Sequence, residues 1–253
     1  MRYVSTRGLA PEKTFSEALL TGLAEDGGLY VPYEWPTLQY SGSGDYLETA
    51  FKVMNLFIDG GIAEKELRQI ITDAYSSFEA QEVVPLIELD DQIYLMELFH
   101  GPTLAFKDIA LQLVGRLFDH ELNARGEHLT IVGATSGDTG SAAIEACRDR
   151  QNLDIVILHP ADRVSDVQRK QMTTVDSFNV HNVAIEGTFD DCQDLVKAMF
   201  NDLEYRNSLK LGAVNSINWA RVMAQIVYYV VACEKLGSNE QQVIFSVPTG
   251  NFG

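Results

Sequence analysis

The chain has 253 residues, 46% of them apolar, enough to build a core in one large domain or two smaller ones. A formal net charge of −17 argues against nucleic acid or an anionic membrane as a partner, and an anionic substrate has to be captured by a local positive site. Cys147, Cys192 and Cys233 are odd in number and scattered, which fits free thiols in a reducing cytoplasm better than a disulfide set or a metal site.

The first eight residues contain no apolar stretch of the signal-peptide kind. Thr14 opens a helix with Glu17 three residues on, the spacing of a capping box. Asp26-Gly27-Gly28 ends that helix and turns into residues 29–32. Residues 40–45 read as a polar loop, and residues 47–57 and 63–78 as further helices. This first part, to about residue 90, is mainly helical and reads as packing without chemistry. From residue 93 the pattern alternates. Strands are expected at 93–99, 129–134, 154–159, 180–186 and 243–247, and helices at 108–122, 139–149, 166–173, 190–200 and 218–236. Such alternation predicts parallel strands covered by helices, with ligands outside the carboxyl ends of the strands. The most apolar run, residues 224–232, is too short to span a bilayer.

Three motifs carry chemistry. In His100-Gly101-Pro102-Thr103-Leu104-Ala105-Phe106-Lys107-Asp108, Lys107 falls where a loop enters a helix. The positive end of the helix dipole disfavours an ammonium there, which suits an amine that must lose its proton and attack a carbonyl. Leu104 and Phe106 are expected to give it apolar surroundings. For this stretch alone, an ordinary surface lysine is the plainer alternative. Two glycine-rich turns, Thr135-Ser136-Gly137-Asp138-Thr139-Gly140 and Pro248-Thr249-Gly250-Asn251-Phe252-Gly253, each follow a strand-like run. Backbone N–H groups in such turns hold phosphate and carboxylate groups. For the first turn the alternative is simple helix capping by Ser136 or Asp138. A lysine before a helix plus two anion-shaped turns is the equipment of a pyridoxal-phosphate enzyme. Asn215, Ser216 and Arg221 open a long apolar helix. An arginine in a first turn is unfavourable unless it meets an anion, and guanidinium, hydroxyl and amide together suit a phosphate monoester. A salt bridge from Arg221 to a carboxylate is the competing reading. The five histidines show no metal-binding spacing.

With these motifs in this order, and Gly22-Leu23-Ala24-Glu25-Asp26-Gly27-Gly28-Leu29-Tyr30-Val31-Pro32 before them, the sequence resembles the threonine synthase family of fold-type II pyridoxal-phosphate enzymes along its whole length. The resemblance implies an α/β fold of the tryptophan synthase β kind. Its helical N-terminal domain would cover residues 1–90, and a small α/β domain carrying Lys107 residues 91–238. Residues 239–253 would begin a large domain. Because the sequence stops inside the second glycine-rich turn, it is expected to be the N-terminal part of a longer enzyme, inactive by itself. The implied reaction is that of a carbon–oxygen lyase acting on phosphate. O-phospho-L-homoserine and water give L-threonine and phosphate, by γ-elimination and β-replacement, as the last step of threonine biosynthesis in the cytoplasm. A homodimer is the candidate assembly.

The resemblance also implies roles. Lys107 forms the Schiff base with pyridoxal 5′-phosphate and moves protons. Asp138, Gly250, Asn251, Phe252 and Gly253 hold the cofactor. Thr135 and Ser136 take the substrate carboxylate, and Thr139, Asn215, Ser216 and Arg221 its phosphate. Asp138 is a departure, since many fold-type II relatives carry Asn there to donate to the 3′-oxygen of the pyridine ring. An ionised Asp cannot donate. Either that oxygen stays protonated, or Asp138 turns away and caps the helix. Other readings are a phospho-lyase of the threonine-synthase-like branch, a serine or threonine dehydratase, and an inactive fragment serving as an interaction module.

Overall fold

Helix α4 (Lys107–Arg125) is apolar on nearly every side, with Ile109, Leu111, Leu113, Val114, Leu117 and Phe118 all buried. That is the character of a helix inside a core, not on its rim. The computed structural model describes residues 1–39, 45–212, 218–237 and 242–247, so the expected loop at 40–45 lies outside them except for Asp45. Around α4 pack α3 (Glu64–Tyr75), α5 (Asp138–Cys147) and α9 (Trp219–Lys235). Helices α4 and α5 approach closely at Gly115, where a Cβ would fall 2.3 Å from the carbonyl oxygen of Ala146. Only glycine lets the two helices meet there.

Beside this layer lies a four-stranded parallel sheet in the order β7–β6–β5–β8: β5 (Leu129–Ala134), β6 (Leu153–Pro160), β7 (Val180–Ile185) and β8 (Leu211–Gly212). Helix α5 joins β5 to β6, and α6 (Asp166–Thr173) joins β6 to β7. Helices α7 (Phe189–Asn201) and α8 (Leu203–Ser208) lead to β8. Ile131, Ile155 and Ile157 face the main core, while Val132, Leu158 and Leu211 form a second cluster with Cys192 of α7. Both faces of the central strands are therefore covered, as their nearly continuous apolar sequences require.

The first residues form an antiparallel pair, β1 (Tyr3–Ser5) with β2 (Tyr30–Pro32). Asp26 holds the turn between them, accepting from Ser5 Oγ at 2.7 Å and from the N–H groups of Leu9, Ala10 and Gly28 at 2.9, 3.0 and 2.9 Å. Helix α1 (Phe15–Thr21) starts with the expected capping box between Thr14 and Glu17. Helix α2 (Tyr46–Ile58) is capped by Asp45. Bonds tie this part to α9 and its cap: Asn218 Nδ2 donates to Leu19 O at 2.8 Å, and Thr49 Oγ1 to Glu234 Oε2 at 3.0 Å. Among the described residues no helix is long and apolar enough to cross a membrane.

Two expected strands are corrected. Residues 93–99 do not enter the parallel sheet. Instead β4 (Ile93–Met96) pairs antiparallel with β3 (Leu86–Asp90) in an outlying hairpin. Gln92, at φ 59°, makes the tight turn, and Ile93, Tyr94 and Leu95 are exposed. A partner next in sequence costs less loop-closure entropy than a distant one. Residues 243–247 form no strand, because the described residues offer them no ladder partner. Ile244 is exposed, and the Phe245 ring meets Tyr229 edge-on at 4.8 Å.

Candidate active site

Lys107 is reached from the hairpin through the turn at residues 101–106, and Asp108 builds that turn. Its carboxylate is fully buried and accepts from Thr103 N at 2.8 Å, Thr103 Oγ1 at 2.6 Å and Ala105 N at 3.5 Å. Burial pushes the Asp108 carboxyl above the ordinary carboxylate range, against the pull of these bonds. At Gly101 a Cβ would stand 2.4 Å from the Asp108 side chain, so the turn closes only over glycine. Gln171 of α6 adds a bond to Thr103 O at 3.2 Å. Sequence reasoning passed over Asp108. Its signal was an acid at a first-turn position after Thr103, the pattern of a capping side chain reaching backward.

Lys107 is the first residue of α4, and its side chain is largely buried. Its Nζ lies 4.6 Å from the centroid of the Phe106 ring, the apolar neighbour expected there. Leu104 is not one; it takes φ 59° and turns outward, 69% exposed. Nζ donates to both carboxylate oxygens of Asp138, at 3.0 and 2.9 Å. Asp138 is the first residue of α5, just past the carboxyl end of β5. Of the two fates considered for this side chain, capping does not occur. That work falls to Thr135, whose Oγ1 accepts from Gly137 N at 3.2 Å and Gly140 N at 3.0 Å and donates to Gly137 O at 2.9 Å.

The Thr135 hydroxyl is thus committed inside its own turn. Ser136 beside it is exposed, and Thr139 is half-buried in the first turn of α5. Arg221 lies in the first turn of α9, 3% exposed. No carboxylate pairs with it among the described residues, its Nε has no hydrogen-bond partner, and burial lowers its pKa. One turn further along, Gln225 is also buried and its Nε2 also lacks an acceptor. Sequence reasoning did not single out Gln225, although the i, i+4 spacing from Arg221 was legible. Asn215, Ser216, Gly250, Asn251, Phe252 and Gly253 lie outside the described residues.

The residues present fit the aldehyde end of pyridoxal phosphate: a largely buried primary amine, held over an aromatic ring and against a carboxylate, opens a helix beside a strand's carboxyl end. No group of acidic, histidine or cysteine side chains among the described residues could hold a metal ion. The chain belongs to the pyridoxal-phosphate-dependent enzyme family, whose profile matches residues 79–253, and pyridoxal phosphate is the cofactor of that family. Residues 2–75 match a second profile, described as the threonine synthase N terminus.

Among relatives, the chain is 57% identical to the threonine synthase of Pseudomonas aeruginosa over all of its own length and 55% of that protein's. The crystal structure of pyridoxal-phosphate-bound threonine synthase from Brucella melitensis superposes on the whole chain with a TM-score of 0.95 at 53% identity, covering 55% of that chain. Threonine synthase-like 2 of Xenopus laevis is 38% identical, again over all of this chain and 55% of its own length. The chain spans about half the length of the curated relatives it matches.

Proposed function

We propose that this chain carries the lysine and part of the substrate site of a threonine synthase, which converts O-phospho-L-homoserine and water to L-threonine and phosphate in threonine biosynthesis. The observation that carries the reading is Arg221, a guanidinium buried in a helix's first turn with no carboxylate partner among the described residues. A salt bridge to a carboxylate was the competing account of that arginine, and none of the described carboxylates pairs with it. A phosphate monoester supplies the anion that both the helix end and the guanidinium call for.

Within this reading the chain's own residues divide the work. Lys107, released from Asp138, anchors the cofactor and then holds or delivers a proton at the substrate carbons. Phe106 covers it. Ser136 and the N–H groups at the start of α5 take the carboxylate, while Thr135 keeps their turn in shape. Arg221 takes the phosphate, with Thr139, Asn215 and Ser216 as the further ligands the resemblance implies and Gln225 as an added donor. When bound, pyridoxal phosphate supplies the electron sink that lets protons leave the substrate carbons. Gly250, Asn251, Phe252 and Gly253 would hold its phosphate, and Asp138 would face its ring.

A second reading is a phospho-lyase acting on a shorter phosphoamino acid, favoured by the likeness to threonine synthase-like 2. The test is product analysis with the full-length protein loaded with cofactor. Phosphohomoserine should give threonine and phosphate in equal amounts, and Lys107→Ala should abolish both. A keto acid formed in place of threonine would overturn the synthase reading in favour of the phospho-lyase. Borohydride reduction and peptide mapping should place the pyridoxyl label on Lys107; a label elsewhere would overturn its assignment.

A further inference from the structure

Helices α4 and α5 carry Lys107 and Asp138 at their starts, and further along they border a second cavity, of about 400 Å³. Helix α5 has ten residues, so this cavity lies about 15 Å from Asp138 along its axis. It opens beside the crossing at Gly115, between Gln112 and Arg116 of α4, Glu145 of α5, Arg148 and Asp149 just past its end, Arg150 in the turn to β6, and Ser77 after α3.

The unmet hydrogen bonds in this corner all belong to donors. Arg116 Nη1 donates to Gln112 O and to Gln112 Oε1, both at 2.8 Å, and Arg116 forms no ion pair among the described residues. Fixing Oε1 in this way turns the Gln112 amide nitrogen toward nothing: Gln112 is 2% exposed and its Nε2 has no acceptor. Arg150 Nε is likewise buried and unpartnered, although Arg150 Nη1 reaches Asp119 at 3.4 Å. The two carboxylates at the rim are already engaged, since Arg148 bonds Glu145 at 3.1 Å and Asp149 at 3.2 Å. Burial, with Arg150 nearby, brings the Arg116 pKa down to about 10, against the opposite pull of Asp73 and Glu145.

Unsatisfied buried donors are costly, and an anion relieves several of them together. Donors here converge from α4 and from the turn to β6, and guanidinium groups beside an amide suit an oxyanion with several oxygens. We propose that the cavity between α4 and α5, framed by Arg116, Gln112 and Arg150, is a binding site for a phosphate-class oxyanion, distinct from the substrate site assigned to Arg221. Arg116 supplies the charge of this site, and Gln112 Nε2 and Arg150 Nε are the donors left to meet the bound oxygens. The site does not rest on the threonine synthase reading.

The test is calorimetric titration of the full-length holoenzyme with inorganic phosphate in chloride buffer. Arg116→Gln should weaken one phosphate-binding event by about tenfold to a hundredfold, the loss of a charge-assisted contact. Gln112→Leu keeps every charge and should weaken the same event by about two- to tenfold, so it decides the matter if Arg116→Gln does not fold. Any phosphate binding at the Arg221 site should persist in both variants. Phosphate affinity unchanged in the variants that fold, or no binding event beyond one abolished by Arg221→Ala, would overturn the proposal.

Discussion

Lys107 Nζ sits between both carboxylate oxygens of Asp138, at 3.0 and 2.9 Å, so the starts of α4 and α5 are tied by an ion pair. An amine engaged this way must leave its partner before it can attack the aldehyde of the cofactor. The Asp138 side chain is 43% exposed, and pairs so open to solvent contribute about 0.2–1 kcal/mol. Asp138→Asn should therefore speed cofactor uptake by the cofactor-free protein by about 1.5- to 5-fold, read by stopped-flow absorbance. Slower uptake would mean that Asp138 assists capture instead of delaying it.

Arg221→Ala tests the substrate phosphate. A charge-assisted contact contributes about 1.5–3 kcal/mol, so kcat/KM for phosphohomoserine should fall about 10- to 150-fold. The slow side reaction with L-serine, assayed in parallel, should change little. Equal losses on both substrates would assign Arg221 to the fold.

Gln225→Leu follows the same logic with a neutral donor. Removing one uncharged hydrogen bond should lower kcat/KM for phosphohomoserine by about two- to tenfold, with L-serine unaffected. If the variant is instead more stable in urea and equally active, the unpartnered Nε2 is only a cost of the fold.

Asp108 has three bonds to the turn before Lys107 and no exposure to water. Asp108→Ala should destabilise the protein by about 1.5–3 kcal/mol in urea unfolding and weaken cofactor binding, because the turn loses its anchor. Unchanged cofactor affinity would show that Lys107 is positioned by α4 alone.

Asp26 sets an acid limit on the N-terminal turn. The Ser5 hydroxyl, aided by the N–H groups of Gly28, Leu9 and Ala10, holds its pKa at about 2 against an ordinary 3.8. A depressed carboxyl stabilises the fold above its unfolded pKa and loses that contribution as pH falls through the folded one. The stability difference between the protein and Asp26→Asn should be constant above about pH 5 and shrink between about pH 4 and 2. A difference that persists at pH 2 would exclude ionisation as its source.

The elements read from periodicity were legible where one segment decides its own structure. The capping box at Thr14, α6 and β5 stand where the pattern places them. Residues 93–99 were misplaced because an apolar run signals a strand without naming its partner, and β3 was the nearest. At the candidate site, Lys107 and Arg221 were visible as charges at unfavourable helix ends. Asp108, Gln225 and the Lys107–Asp138 pair were not, because burial and unmet hydrogen bonds depend on what other segments bring alongside.

The bonds from Asn218 to Leu19 and from Thr49 to Glu234 link positions 199 and 185 residues apart. During synthesis at about 5–20 residues per second, α1 and α2 therefore wait on the order of ten seconds or more for the helix that completes their packing. In that interval the Phe57 ring of α2 lacks the Trp219 ring of α9, which it meets at 5.4 Å. The helical N-terminal segment emerges before α9 and is finished only after it.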